Sequence, residues 1–292
     1  MIDQAAKLRE MVNMKPGSAS QGQLRTEIIA IASGKGGVGK SNITANLGLA
    51  LEKMEKKVLL IDADLGMANL DILLGLCQTY NLGHILKGKC EFEDAVIAGP
   101  EGLSVLAGIS GSEEFVNLNS RKISRLLEVA ARMESQFDII LIDIGAGIHS
   151  DVINFILGAD KTLIVLTPEP TAVMDAYGLI KIIFKYKTQT PMGLIINQTQ
   201  STAEAGELAN RMSKVIREYL QEEIEFIGSI PYDRYLKKAV TRQKPLLSLY
   251  PESRASKAVI AIAARIAESK DENKVKGVKG FMYRLMGLFN NS

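Results

Sequence analysis

Residues 34–41 read GKGGVGKS, and that octapeptide constrains the fold more than any other stretch of the chain. It fits G-x-x-x-x-G-K-[S/T], a loop that wraps phosphate oxygens in backbone N–H groups. Its surroundings suit it. The apolar run Ile28–Ala32 before it predicts a short buried strand, and Asn42–Leu51 behind it carries Ile43, Leu47 and Leu51 at helical spacing. Strand, loop and helix in that order aim a helix N-terminus at an anion. Gly34, Gly36, Gly37 and Gly39 let the backbone curl where a Cβ would clash. Lys40 is expected to reach the β- and γ-phosphates and the Ser41 hydroxyl to hold Mg²⁺, with Val38 and Asn42 completing the loop's contacts.

The chain has 292 residues, 47% of them hydrophobic, and a net charge of +2. That is enough for one large α/β core and too balanced to argue for nucleic acid by charge alone. Two cysteines, Cys77 and Cys90, lack metal-type spacing and read as reduced, half-buried thiols of a cytosolic protein. No run of 18 apolar residues predicts a membrane-spanning helix, and the N-terminus lacks a signal peptide's apolar core.

Strand signals fall at 27–33, 57–62, 103–106, 137–143, 161–167, 191–197 and 224–230. Helical patterns fall at 40–53, 120–134, 171–187, 203–221 and 252–268. Near-continuous apolar strands such as Ile139–Ile142 suit a parallel sheet covered on both faces. The alternation predicts an α/β fold with a doubly wound, mostly parallel sheet flanked by helices. Residues 27–268 read as one domain. Residues 1–12 form a short helix candidate, 13–26 a polar Ser/Gly/Gln-rich linker, and 269–292 a charged linker followed by an apolar cluster.

Other carboxylates complete a nucleotide site. Asp143 closes the strongest apolar strand, before Ile144-Gly145-Ala146-Gly147, where a carboxylate holds Mg²⁺ through water and the glycine turn senses the γ-phosphate. Asp62 and Asp64 end the strand 57–62. The loops that follow the later strands, with Asn197 and with Pro231 and Asp233, are placed where a base binds in such sheets. The guanine-selecting NKxD pattern is absent at 197–200, which favours ATP and ADP over guanine nucleotides.

The doubled lysine in KGGVGKS resembles the deviant Walker A family of MinD and ParA ATPases. The resemblance implies that Lys35 reaches the nucleotide of a second copy in an ATP-dependent homodimer, as an arginine finger does. Asp62-Ala63-Asp64-Leu65-Gly66 and Asn69-Leu70-Asp71 resemble that family's first switch. They imply that Asp64 orients the attacking water and Asp62 supports the metal. By the same resemblance Asn197, Pro231 and Asp233 contact adenine. Thr167–Pro170 resembles the family's dimer-facing loop. One departure is Ile144, where relatives usually carry Thr or Ser.

The ends narrow the resemblance. Phe281, Met282, Leu285, Met286, Leu288 and Phe289 cluster on one helical face, and residues 274–292 hold four basic and no acidic residues. That reads as an interfacial anchor for an anionic membrane, peripheral on the cytoplasmic face, with a helix docked on its own core as the alternative. Asp3-Gln4-Ala5-Ala6-Lys7-Leu8-Arg9 resembles the DQAxxLR head of FlhG (YlxH/FleN) proteins. This implies control of flagellar number and placement, and partners in flagellar switch (C-ring) components. It also implies activation of an FlhF-type GTPase through Asp3, Gln4, Leu8 and Arg9. The rival expectations are a ParA-like DNA-partitioning ATPase and a nucleotide-gated adaptor with incidental hydrolysis. DNA is the weaker partner, since it needs neither head nor tail.

Overall fold

The computed structural model describes residues 26–64, 69–108, 120–186, 190–268 and 277–290. The expected head helix, with Asp3, Gln4, Leu8 and Arg9, and the linker as far as residue 25 lie outside these residues. In chain order come β1 (Glu27–Ser33), α1 (Lys40–Glu52), β2 (Val58–Ala63), α2 (Leu70–Leu74), α3 (Leu82–Leu86), α4 (Phe92–Ala95), β3 (Val96–Ala98) and β4 (Ser104–Ala107). Then follow α5 (Ser120–Gln136), β5 (Ile139–Ala146), α6 (Ser150–Gly158), β6 (Lys161–Leu166), α7 (Pro170–Lys185), β7 (Met192–Thr199) and α8 (Thr202–Leu220). The last are β8 (Glu225–Pro231), α9 (Arg234–Thr241), α10 (Leu246–Leu249), α11 (Arg254–Glu268) and α12 (Gly277–Asn290).

The eight strands form one sheet in the order β3-β4-β2-β5-β1-β6-β7-β8. All neighbours are parallel except β3 with β4. β1 is fully buried along its length, which is why its sequence is apolar on both faces. One face of the sheet packs under α5 to α8 and α12, the other under α1 and α11. The seven expected strands are all present. The edge strand β3 was not expected: three residues of Val-Ile-Ala are too short to register as a pattern. Helix α6 was also not foreseen, because its nine residues carry little polar contrast and most are buried.

Three boundaries move. β5 runs past Asp143 to Ala146, which pairs with Ser33, so the aspartate lies within a strand and not at its end. β7 likewise continues through Asn197 to Thr199. Thr26 belongs to the domain and not to a linker: it is buried and its hydroxyl donates to the Phe137 carbonyl at 2.7 Å. Cys77 is exposed, while Cys90 is half-buried as expected.

Helix α12 lies against α5 and α6. Val278, Phe281, Met282, Leu285, Met286 and Phe289 are buried in the same core as the strands, and Leu288 is partly exposed. The Phe289 ring meets Phe155 of α6 edge-on, with centroids 6.1 Å apart. The face expected to meet a membrane is therefore turned inward in this structure, where an apolar groove of its own domain covers it.

Two glycines offer a check on the packing. A Cβ on Gly193 in β7 would stand 2.4 Å from Ile227 Cγ1, whereas one on Gly178 in α7 meets nothing within 4 Å. Gly193→Ala is expected to cost about 1–3 kcal/mol by overpacking. Gly178→Ala is expected to be neutral or to stabilise by up to about 1 kcal/mol, through helix propensity. Urea unfolding of the two variants beside the parent chain measures both.

Candidate nucleotide site

The site assembles near the C-terminal ends of three parallel strands. Ile31 of β1 and Asp62 of β2 both take Asp143 of β5 as their cross-strand partner. The loop 34–39 leaves β1 at that level and turns into α1 at Gly39, whose φ of 91° is left-handed and favours glycine. No side chain caps α1 and its first turn has no acidic residue. Its leading N–H groups are thus left for an anion. Gly34 is held closely: a Cβ there would stand 2.3 Å from the backbone carbonyl of Asp175 in α7.

Lys40 is 7% exposed and Asp143 1%. Lys40 Nζ donates to Asp143 Oδ1 at 2.6 Å, and Thr44 Oγ1 donates to the same oxygen at 3.3 Å. Asp143 Oδ2 is buried with no hydrogen-bond partner among the described residues. A buried anionic oxygen left bare is costly, and it is the kind of acceptor that a hydrated cation satisfies. Ser41, at the second position of α1, supplies the hydroxyl, so the donor set fits Mg²⁺. Thr44 was not expected here, although its position one turn after Lys40 was a usable signal.

Asp62 makes its contacts within its own stretch of chain. Its Oδ1 accepts the Asp64 N–H at 3.1 Å, and its Oδ2 accepts the Asn69 and Leu70 N–H groups at 2.9 Å each. The carboxylate thus ties the two ends of the loop that carries Asp64. Burial pushes the Asp62 carboxyl above its ordinary value; the Leu70 N–H pulls it back, and neighbouring Asp143 pushes it up again. Asp64 stands beside the glycine turn, with its Oδ1 3.4 Å from where a Gly145 Cβ would be. The turn is tied to β1 by the Gly147 N–H, which donates to the Ser33 carbonyl at 2.9 Å. Ile144 is buried in the core that contains Phe281, so its side chain points away from the nucleotide face.

Lys35 does not project freely. Its Nζ bonds Glu169 Oε2 at 3.0 Å and Thr171 Oγ1 at 2.7 Å, both at the start of α7. The pair is half-exposed, worth under about 1 kcal/mol, and so easily exchanged. Asn197 has a tie to the loop as well. It is buried, and its Nδ2 donates to the Val38 carbonyl at 2.8 Å, bracing the loop from β7. Asn197, Pro231 and Asp233 nonetheless come together, lining a cleft of about 500 Å³ beside Asn42 and Ile43. Asp233 caps α9, accepting the Tyr235 N–H at 2.9 Å. His84 belongs to a helix cap with Asn81, and His149 precedes α6 on the surface.

A glycine loop between a central parallel strand and a helix, with a buried lysine–aspartate pair, defines a P-loop nucleotide-binding protein. The model of the CobQ/CobB/MinD/ParA nucleotide binding domain matches residues 29–246. The antiactivator FleN of Pseudomonas aeruginosa is 35% identical over 82% of this chain and 86% of its own. The flagellum site-determining protein YlxH of Helicobacter pylori is 34% identical over 98% of this chain and 99% of its own. Among solved structures, MinD of Pyrococcus horikoshii complexed with Mg-ADP superposes with a TM-score of 0.67 at 29% identity, covering 86% of this chain and 99% of that one. The chain belongs to the CobQ/CobB/MinD/ParA nucleotide-binding family and, within it, to the FlhG (YlxH/FleN) group.

Without ligand, Lys40→Met strands the buried Asp143 charge and is expected to cost about 3–5 kcal/mol, whereas adding Asp143→Asn restores most of that. Neither variant is expected to gain stability from Mg-ATP. Thermal unfolding with and without Mg-ATP checks both points.

Proposed function

We propose that this protein is an ATP-hydrolysing switch that dimerises around bound ATP, associates with anionic membrane in that state, and controls flagellar number or placement. The YlxH relative is described as a flagellum site-determining protein and FleN as an antiactivator, and MinD proteins of Bacillus subtilis and Helicobacter pylori, at 31% and 32% identity, are septum site-determining proteins. The observation that carries the reading is the pairing of Lys35 with a surface acceptor in its own chain. A second lysine in the loop that engages neither Asp143 nor the core is available for exchange to a phosphate on another copy. Ile148, next to Gly147 of the glycine turn, and Met174, in the first turns of α7, are 53% and 66% exposed.

When bound, Mg²⁺ would neutralise phosphate charge at Ser41 and Asp143. The chain's own residues then divide the work. Lys40 exchanges Asp143 for the β- and γ-phosphates, Asp64 orients water, Asp62 holds the Asp64 loop closed, and the cleft at Pro231 and Asp233 takes adenine. Turnover is slow because a complete site needs two copies. Helix α12 is stowed in the resting monomer and delivered to lipid by the dimer, where two anchors bind far better than one. Residues 2–12 engage an FlhF-type GTPase and stimulate it.

Co-sedimentation with phosphatidylglycerol vesicles tests this. The full chain is expected to pellet with ATP, not with ADP, and a chain ending at Asn273 in neither. Asp64→Ala is expected to stay on the vesicles after ATP is added, with phosphate release lost. Equal pelleting in ATP and ADP would overturn the nucleotide gate.

A further inference from the structure

The groove that holds α12 is closed by a charge pair as well as by apolar contact. Arg284 Nε donates to the Gly158 carbonyl at 2.7 Å, and its Nη2 donates to Asp160 Oδ1 at 3.1 Å. The Asp160 side chain is 3% exposed and Arg284 22%. Asp160 is itself fixed: its Oδ2 accepts the Ile28 N–H at 3.1 Å and its own N–H donates to the Ile28 carbonyl at 2.9 Å. The carboxylate therefore cannot follow the helix outward without leaving β1. Gly158 makes the approach possible, since a Cβ there would stand 3.1 Å from both Phe281 and Leu285.

The apolar face of α12 does not explain this pair. Six buried hydrophobes bind a groove or a lipid surface with little discrimination, because the hydrophobic effect is non-directional. A guanidinium stays charged in both places, and its planar fork of N–H donors pairs with a carboxylate or with a phosphate. Burial disfavours that charge, and Asp160 compensates. We propose that Asp160 occupies Arg284 in place of a lipid phosphate, so that the docked helix and an anionic membrane compete for one guanidinium. The inference rests on the membrane reading of the tail and adds what decides between its two positions. The seat lies at the C-terminal end of α6, whose first residue comes three after Gly147 of the nucleotide-facing turn.

Asp160→Asn preserves shape and leaves an amide oxygen for Ile28, but turns away the guanidinium. Arg284→Gln leaves the Asp160 bonds to β1 untouched. Charge-assisted bonds of this kind are worth enough to shift the docking equilibrium about ten-fold. Nucleotide-free full-length protein is the material. In Asp160→Asn, hydrogen exchange over 277–290 without vesicles is expected to rise about ten-fold. Its binding to phosphatidylcholine vesicles containing phosphatidylglycerol is expected to rise by a similar factor. Arg284→Gln is expected to raise exchange equally but to lose the preference for phosphatidylglycerol over phosphatidylcholine alone. ATP-gated pelleting of the parent chain, with both readouts unchanged in both variants, would overturn the latch alone. A parent chain that pellets in no nucleotide state would overturn the membrane reading, and the lipid competition with it. Inorganic phosphate alone is expected to leave exchange unchanged; a rise would overturn the assignment to a lipid surface.

Discussion

The buried contact between Lys40 and Asp143 organises the rest of the molecule. Two opposite charges, both less than a tenth exposed, face each other near the C-terminal ends of β1, β2 and β5. Neither is tolerable alone at that depth. The pair therefore requires the parallel register that brings β5 beside β1, and the tight loop that swings Lys40 back over the sheet. It also leaves one Asp143 oxygen bare. The unliganded site is held together by the same two groups that a phosphate and a cation would separate. Binding then replaces one set of charge contacts with another and forces no charge into an apolar space.

Around that pair, several side chains read as ligand contacts also act as structural ties. Asp62 closes the loop bearing Asp64, Asn197 braces the phosphate loop through Val38, and Asp233 caps a helix. These roles are compatible with contact to a nucleotide, since each residue lies at the same end of the sheet. They also mean that truncating any of them disturbs geometry as well as binding. Loss of function at Asp62 would report on the shape of the Asp64 loop before it reported on a metal.

Much of this was legible in the residues. The phosphate loop announces itself because its glycines and lysine answer to one ligand at fixed spacing, and the parallel strands do so because burial on both faces leaves no polar alternation. What stayed hidden depends on partners distant in sequence. Lys35 pairs with Glu169, 134 residues away, and Arg284 with Asp160, 124 away. Nothing local marks either. The tail shows the same limit: its periodicity revealed an apolar face but not the surface that covers it, because a groove and a bilayer demand the same pattern. Helix α6 was missed for the converse reason, since burial on nearly all sides removes amphipathic contrast.

The tail's inward-facing residues carry a thermal consequence. Burying Phe281, Met282, Leu285, Met286 and Phe289 against the domain changes heat capacity, as any apolar burial does. On the reading proposed for the tail, moving that face into lipid buries much the same area again. The two heat-capacity changes then largely cancel in the exchange between positions. An anchor stowed in an apolar groove would respond weakly to temperature, and its distribution would be left to charge and to nucleotide.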